Sequence, residues 1–409
     1  MDAFRSRGWL IVAVSLFGIS TGPAAFGIAS IGVLSEPIVK ELGWSRTELS
    51  AAVSAMMLCT ALCLPLAGRL IDRLGARRVL LPSLAIMALA MAGLAAVQSY
   101  WQFLLLYVAM GTIAVGTNST AYMRVITGWF DHRRGLAIGI AGSGTGLGFA
   151  YVPLLTQYCL DHWGWRSAYL GLAALLVAVT LPLMALLLSD APDHDAPHDR
   201  PEAQAGQQGL SMQEALRKPD FWVLGGIFVV LAFVLYGLLP HLVPLLQDRG
   251  IPAGEAAAIA SLFGFAAFGG RLLIGFMIDR FDARRIAFSF FSLSAVGLLL
   301  LTMPLPQWGF IAAALLLGGS LGAEVDMLAY LTSRYFGLRC FAQIFATLFS
   351  AVMVAMGLGP LAFGAIFDLT GSYGFILGTG VPICLLASAL VLLLGPYGER
   401  ARGGQISRT

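Results

Sequence analysis

The chain has 409 residues, of which 58% are hydrophobic and only 11% charged, with a formal net charge of +3. Soluble globular domains carry about a quarter charged residues, so this composition excludes an ordinary soluble enzyme or binding module and points to a chain whose solvent is mostly lipid. The slight positive balance is accounted for by membrane orientation and calls for no nucleic-acid partner.

In chain order, apolar stretches lie near 9–34, 47–70, 79–98, 101–127, 134–159, 166–188, 220–246, 254–278, 285–304, 307–333, 341–366 and 373–394. Each can cross a hydrocarbon core of about 30 Å as a helix of about twenty residues. The first follows Arg5 and Arg7 as a signal peptide would, but it is too long for a signal's apolar region and no small-residue cleavage site follows. It is read as helix 1 of twelve in an all-α polytopic membrane protein. With both termini cytoplasmic, the terminal segments and inner connections hold 20 of the 25 basic residues; Lys40, Arg46, Arg166 and Arg249 fall outside, and Arg271 lies within a helix. Lysine occurs only at Lys40 and Lys218, an arginine bias that suggests a GC-rich bacterial genome and hence a bacterial plasma (inner) membrane. The five cysteines sit in apolar segments and indicate neither a disulfide framework nor a metal site. No nucleophile and base set or cofactor loop is visible, so no enzyme and no cofactor are expected.

Sliding the chain against itself by 207 positions (Gly43 onto Gly250) aligns Glu48 with Glu255, Gly68 with Gly275, Asp72 with Asp279 and Arg73 with Arg280. The same shift pairs Gly111 with Gly318, Pro153 with Pro360, Asp161 with Asp368 and Gly164 with Gly371. An offset containing an even number of crossings makes the halves parallel repeats, related by an axis along the membrane normal. Their bounds are 1–189 and 219–409, joined by a linker at 190–218 whose Asp, Pro, His and Gln content marks a solvated inner loop.

The segments GRLIDRLGARR (68–78) and GFMIDRFDARR (275–285) resemble the loop signature of the major facilitator superfamily, between helices 2 and 3 and again between 8 and 9. That resemblance covers the whole chain and implies a transporter that works by rocking its halves. Asp72, Arg73, Asp279 and Arg280 are then gate candidates, an acid at a helix end pairing with arginines and a helix terminus on the inner face. A closer likeness lies in WFDHRRGLAIGIAGSGTGLG (129–148), which is similar to the helix 4–5 pattern of the monocarboxylate transporter family and its bacterial relatives. Gly270-Arg271 in helix 8 is similar to the region where that family holds its substrate-binding arginine. The acidic residue one turn earlier in the animal transporters is Ala267 here, and their helix 1 lysine has no counterpart.

The residues support the same reading independently. Arg271 lies eight positions before Asp279, about 12 Å inside the helix end at a rise of about 1.5 Å per residue, and its repeat partner is Leu64. A charge this deep costs about 2.5–3.5 kcal/mol on insertion scales, so one present in a single half is better explained by a ligand than by scaffold symmetry. A guanidinium fork matches a carboxylate. Helix 10 carries Glu324 and Asp326, opposite uncharged Thr117 and Ser119 in the repeat. Two residues apart on a helix, these acids face different ways. Asp326 shares its face with Gly319 and Gly322 and is the expected partner of Arg271; Glu324, among leucines, is a protonatable site or pairs elsewhere, and either acid, Asp326 or Glu324, is a candidate for proton coupling. His241, between Pro240 and Pro244 in helix 7, contacts substrate, relays a proton or is a hydrogen-bonded structural histidine. Arg124 either faces the anion from the other half or snorkels at the inner face. Asn118, Tyr122, Tyr236 and Tyr330 are polar cavity candidates. The glycines of 135–148 lack nucleotide-loop spacing and read as close helix packing.

The sequence therefore predicts a secondary active transporter, proton-coupled for symport of a small organic monocarboxylate by alternating access and functional as a monomer. The competing readings are an organic anion exchanger, a drug/proton antiporter and, from another class, a membrane sensor that binds the anion without moving it.

Overall fold

The computed structural model describes residues 2–130, 134–189, 209–278, 280–337 and 339–395. Among these the chain is helical, apart from turns and one isolated bridge between Gly209 and Gly337. Eleven helical stretches are long and apolar enough to cross a membrane. They are α1 (Arg7–Leu42), α2 (Arg46–Leu74), α3 (Ala76–Leu94), α4 (Tyr100–Trp129), Gly135–Leu187, α7 (Pro219–Asp248), α8 (Ala253–Ile278), α9 (Ala283–Thr302), α10 (Gln307–Phe336), α11 (Gln343–Thr370) and α12 (Gly374–Leu393).

The stretch Gly135–Leu187 is two crossings. Gly164 has φ +83° and ψ 171°, outside the helical region, and a Cβ placed on Gly171 would come within 3.1 Å of Cys159 Sγ. Residues that far apart on a straight helix would be separated by about 18 Å. The chain therefore reverses at Gly164 into α5 (135–163) and α6 (165–187), which makes twelve.

The 207-position register reappears in the backbone and in the packing. Gly43 and Gly250 end α1 and α7 at φ +71° and +83°, and Gly164 and Gly371 end α5 and α11 at +83° and +68°, conformations open to glycine and costly for other residues. A Cβ on Gly111 of α4 would lie 2.3 Å from the Met56 carbonyl oxygen in α2, and one on Gly318 of α10 would lie 2.1 Å from the Phe263 carbonyl oxygen in α8. Met56 and Phe263 are themselves one register apart, so the same helix pair is pressed together at the same level in both halves. The halves meet along α2 with α11 and α5 with α8.

Several crossings are interrupted. α1 contains a π-helical turn at Ala24–Ala29, and α7 a 3₁₀ turn at Leu239–His241 around Pro240. The sequence pattern predicts one continuous helix over 101–127. Instead α4 tightens to a 3₁₀ turn at Ile113–Thr117 and opens at Asn118 (φ −67°, ψ 164°), where a Cβ on Gly116 would meet Ser83 Oγ at 2.5 Å. Non-helical backbone at this depth persists where it is buried in protein or lines a cavity.

One end of the bundle, at Gly75, Phe130 and Lys218, carries most of the arginines and is termed the basic face; the opposite end is the far face. Residues 190–208 of the linker lie outside the described residues. Its last part is ordered against the basic face: Leu210 N–H donates to the Phe336 carbonyl at 2.8 Å, and a Ser211–Glu214 capping box starts the short helix Met212–Leu216.

Candidate functional site

A cavity of about 220 Å³ lies between the halves at mid-depth, bordered by α1, α2, α4, α5, α7, α8, α10 and α11. Its lining is mostly apolar, with Met57, Phe149, Phe349, Met353 and Met356, and its polar groups include Thr60, Asn118, Ser143, Tyr236 and Arg271. A concave apolar pocket with a few convergent polar groups is the usual form of a small-molecule site.

Arg271 is set there by a ladder between α8 and α10. A Cβ on Gly318 would strike the Phe263 carbonyl oxygen, and one on Gly322 would strike that of Ala267 at 2.1 Å. The next rung, four residues further on each helix, is Arg271 with Asp326. Two successive glycines hold the backbones close enough for this pair, and Arg271 Nη2 donates to Asp326 Oδ1 at 2.9 Å. The pairing expected from helical phase is present. Arg271 Nη1 donates across the interface to the Gly142 carbonyl of α5 at 2.9 Å, while Nε is buried with no hydrogen-bond partner among the described residues. Glu324 is not in the cavity lining. It is 1% exposed, and neither carboxyl oxygen has a hydrogen-bond partner among the described residues.

Of the four polar cavity candidates, Asn118 and Tyr236 line the cavity. Tyr122 and Tyr330 do not. The break at 113–118 changes the phase of the rest of α4, so Tyr122 turns into the N-terminal half, fully buried, where a Cβ on Gly18 would lie 2.5 Å from its hydroxyl. Tyr330 sits nearer the basic face, its hydroxyl accepting from Arg334 Nε at 3.1 Å. Arg124 is also at that face, where its Nε reaches Asp72 Oδ1 at 3.3 Å, outside the cavity lining. Arg73 and Arg280 are exposed, the latter over the Phe276 ring at 3.8 Å. Asp279 lies outside the described residues. The ion pairs Arg124–Asp72 and Arg284–Asp282 each stay within one half, while Leu62, Leu66 and Leu70 on the basic end of α2 are exposed.

On the far face the contacts join the halves. Arg46 of α2 grips Asp248 of α7 with Nη1 and Nη2 at 2.6 and 2.8 Å, donates to the Tyr373 hydroxyl at 2.9 Å and lies 3.8 Å over the Phe367 ring. Thr47 N–H donates to Asp368 at 2.7 Å. His241 belongs to this seal and not to the cavity lining. Its Nε2 is 3.0 Å from Ser50 Oγ and 3.1 Å from the Pro360 carbonyl, and its Nδ1 is 2.9 Å from the Tyr373 hydroxyl. A carbonyl only accepts, and the Ser50 hydroxyl is already spent on the Arg46 carbonyl at 2.6 Å. The assignment that satisfies every group puts the proton on Nε2 and lets the Tyr373 hydroxyl donate to Nδ1. Of the three roles open to His241 in the sequence, the hydrogen-bonded structural one matches this setting.

Ser143, Thr60 and the methionines of the cavity wall, and Gly142 behind Arg271, are not apparent as site residues in the sequence. The small-residue run GSG inside an apolar span was the available signal for Gly142; the methionines gave none.

A family model described as the Major Facilitator Superfamily matches residues 9–339 and 233–408. The gallate transporter of Pseudomonas putida is 25% identical, over 92% of this chain and 87% of its own. Monocarboxylate transporter 4 of Mus musculus is also 25% identical, over 97% of this chain and 85% of its own. Among solved structures, a bacterial homologue of the human lysosomal transporter Spinster, in an inward-facing and occupied conformation, matches with a TM-score of 0.65 at 20% identity, covering 98% of this chain and 97% of that one.

Proposed function

The chain belongs to the Major Facilitator Superfamily and is a multi-pass membrane transporter, and on that footing we propose that it carries a small organic monocarboxylate together with a proton, by alternating access. The observation that carries the substrate class is Arg271, a guanidinium at the wall of an otherwise apolar cavity, held by a single carboxylate. The fork is suited to a carboxylate, and the apolar wall to an organic body. Arg271 and Asp326 have side-chain exposures of 21% and 33%, so an incoming anion can take the place of Asp326 on the fork. The freed aspartate then stands unpaired at depth, where an uncompensated charge is costly, and binding a proton removes that cost. Glu324 is the second place a proton can reside, for the same reason. The relatives named above for gallate and monocarboxylates support an acid substrate.

The far-face contacts join the halves through Arg46, Asp248 and Tyr373, and on that ground we read the cavity as closed toward the far face and reached from the basic face. We place that face in the cytoplasm of a bacterium, with both termini on that side of the inner membrane, and the protein acts as a monomer. Asp72, Arg73, Asp279 and Arg280 then form the inner gate once the halves have rocked.

One proton moving with one monoanion transfers no net charge, so a difference of one pH unit supplies about 1.4 kcal/mol, a tenfold gradient. Proteoliposomes given labelled lactate, pyruvate or benzoate should accumulate one of them when the exterior is acid and stay at background when only a membrane potential is imposed. Uptake that follows potential at equal pH would contradict the stoichiometry.

A further inference from the structure

We infer that Gly142 is a positioning residue for the anion site, its missing side chain and its carbonyl together fixing where the Arg271 guanidinium stands. The inference rests on the reading that Arg271 takes the substrate carboxylate. The three atoms nearest a Cβ built on Gly142 all belong to the guanidinium: Cζ at 2.8 Å, Nη2 at 2.9 Å and Nη1 at 3.2 Å. Gly142 is in a helix without a left-handed φ, so its backbone accepts any side chain. What a methyl group at 142 displaces is the end of a flexible arginine.

The neighbouring glycines behave otherwise. Cβ atoms on Gly144, Gly146 and Gly148 would run into backbone atoms of Leu16, Phe268 and Ser20 at 2.2, 2.6 and 2.3 Å, and one on Gly139 would meet nothing within 4 Å. Within one glycine-rich run, three positions serve helix packing, one is open, and Gly142 alone among these five borders the guanidinium. The contact also crosses the molecule: Gly142 belongs to the N-terminal half and Arg271 to the C-terminal half. The Nη1 bond to the Gly142 carbonyl and the Nη2 bond to Asp326 hold the fork between the two halves. Its two terminal nitrogens are thereby aligned, and a substrate carboxylate meets a fixed orientation without ordering the arginine itself.

The experiment is uptake kinetics in proteoliposomes with labelled benzoate or pyruvate, whichever the unaltered protein accumulates. Gly142→Ala should reconstitute normally and raise KM on the order of tenfold with maximal rate within about twofold, the loss of about one charge-assisted hydrogen bond. Gly139→Ala should match the unaltered protein. In an Arg271→Lys background, where no planar fork remains to be displaced, adding Gly142→Ala should change KM by less than about twofold, the non-additivity of a contacting pair; thermal stabilisation by the same acid replaces uptake as the readout if that background is too slow. An unchanged KM in Gly142→Ala, or an equal loss in both backgrounds, would overturn the inference and leave the anion site standing. Normal uptake by Arg271→Gln would remove the anion site and this inference with it.

Discussion

The guanidinium of Arg46 and the carboxylate of Asp248 meet fork to fork at 2.6 and 2.8 Å across the far face, and they tie α2 of one half to α7 of the other. Arg46 is largely covered (side-chain exposure 16%), lying over Phe367, so the pair is screened less than a surface ion pair. Opening this face must break it. Hydrogen bonds to charged groups are worth about 1.5–3 kcal/mol each. Arg46→Ala or Asp248→Ala should therefore shift the population toward a far-face-open state on the order of tenfold. Labelling of a cysteine introduced at Val53, behind the seal, by a membrane-impermeant thiol reagent from the far side reads this directly. It should rise in both variants, and unchanged labelling would show that the pair does not hold the face closed.

The ladder beneath Arg271 makes a second prediction. A methyl group on Gly322 would sit 2.1 Å from the Ala267 carbonyl oxygen and 2.9 Å from the Arg271 backbone nitrogen, whereas one on Gly319 of the adjacent turn meets nothing within 4 Å. Backbone cannot move aside as a side-chain end can, and overpacking of this kind costs about 1–3 kcal/mol. Gly322→Ala should lower the melting temperature in detergent and abolish uptake by parting α8 from α10; Gly319→Ala should leave the melting temperature unchanged.

A third concerns pH at the basic face. Asp282 caps α9, its carboxylate accepting from the Arg284 backbone N–H at 2.9 Å and pairing with the Arg284 side chain at 3.0 Å. The Arg284 side chain foremost, then the backbone N–H, holds its carboxyl below the ordinary carboxylate value against the opposing effect of burial. A group whose folded-state value is lowered contributes stability above its unfolded value, near pH 3.9, and loses it as the pH falls through the folded one. Asp282→Ala should cost about 0.5–2 kcal/mol at neutral pH and progressively less below about pH 4, with Asp282→Asn between the two. Hydrogen exchange over residues 283–286 would report it, and a penalty independent of pH would rule out the charged cap.

What could be read from the sequence is what the helix period and the repeat determine locally. Gly43 with Gly250 and Gly164 with Gly371 align in sequence because one backbone conformation recurs at the same turn, and Gly111 with Gly318 because one close approach recurs. Arg271 could be matched to Asp326 because depth and phase along regular helices follow from residue counts. Phase fails where a helix breaks: Tyr122 lies beyond the 3₁₀ turn of α4, and its side chain turns toward Gly18. His241 sits in the 3₁₀ turn at Pro240, with partners at Ser50, Pro360 and Tyr373 that are remote in sequence. Arg46 and Asp248 read as ordinary loop-end charges, since their pairing depends on how the halves are rocked, which no local pattern encodes.

The most direct measurement is accumulation of the labelled acid under an imposed pH gradient by Arg271→Gln beside the unaltered protein, in matched proteoliposomes with folding verified by melting temperature. Glutamine keeps a polar side chain with two N–H donors and removes both the charge and the fork. Uptake should fall to background, about a hundredfold or more, since losing a charge-assisted bidentate pair costs about 3 kcal/mol or more. Uptake at the rate of the unaltered protein would show that the anion is bound elsewhere.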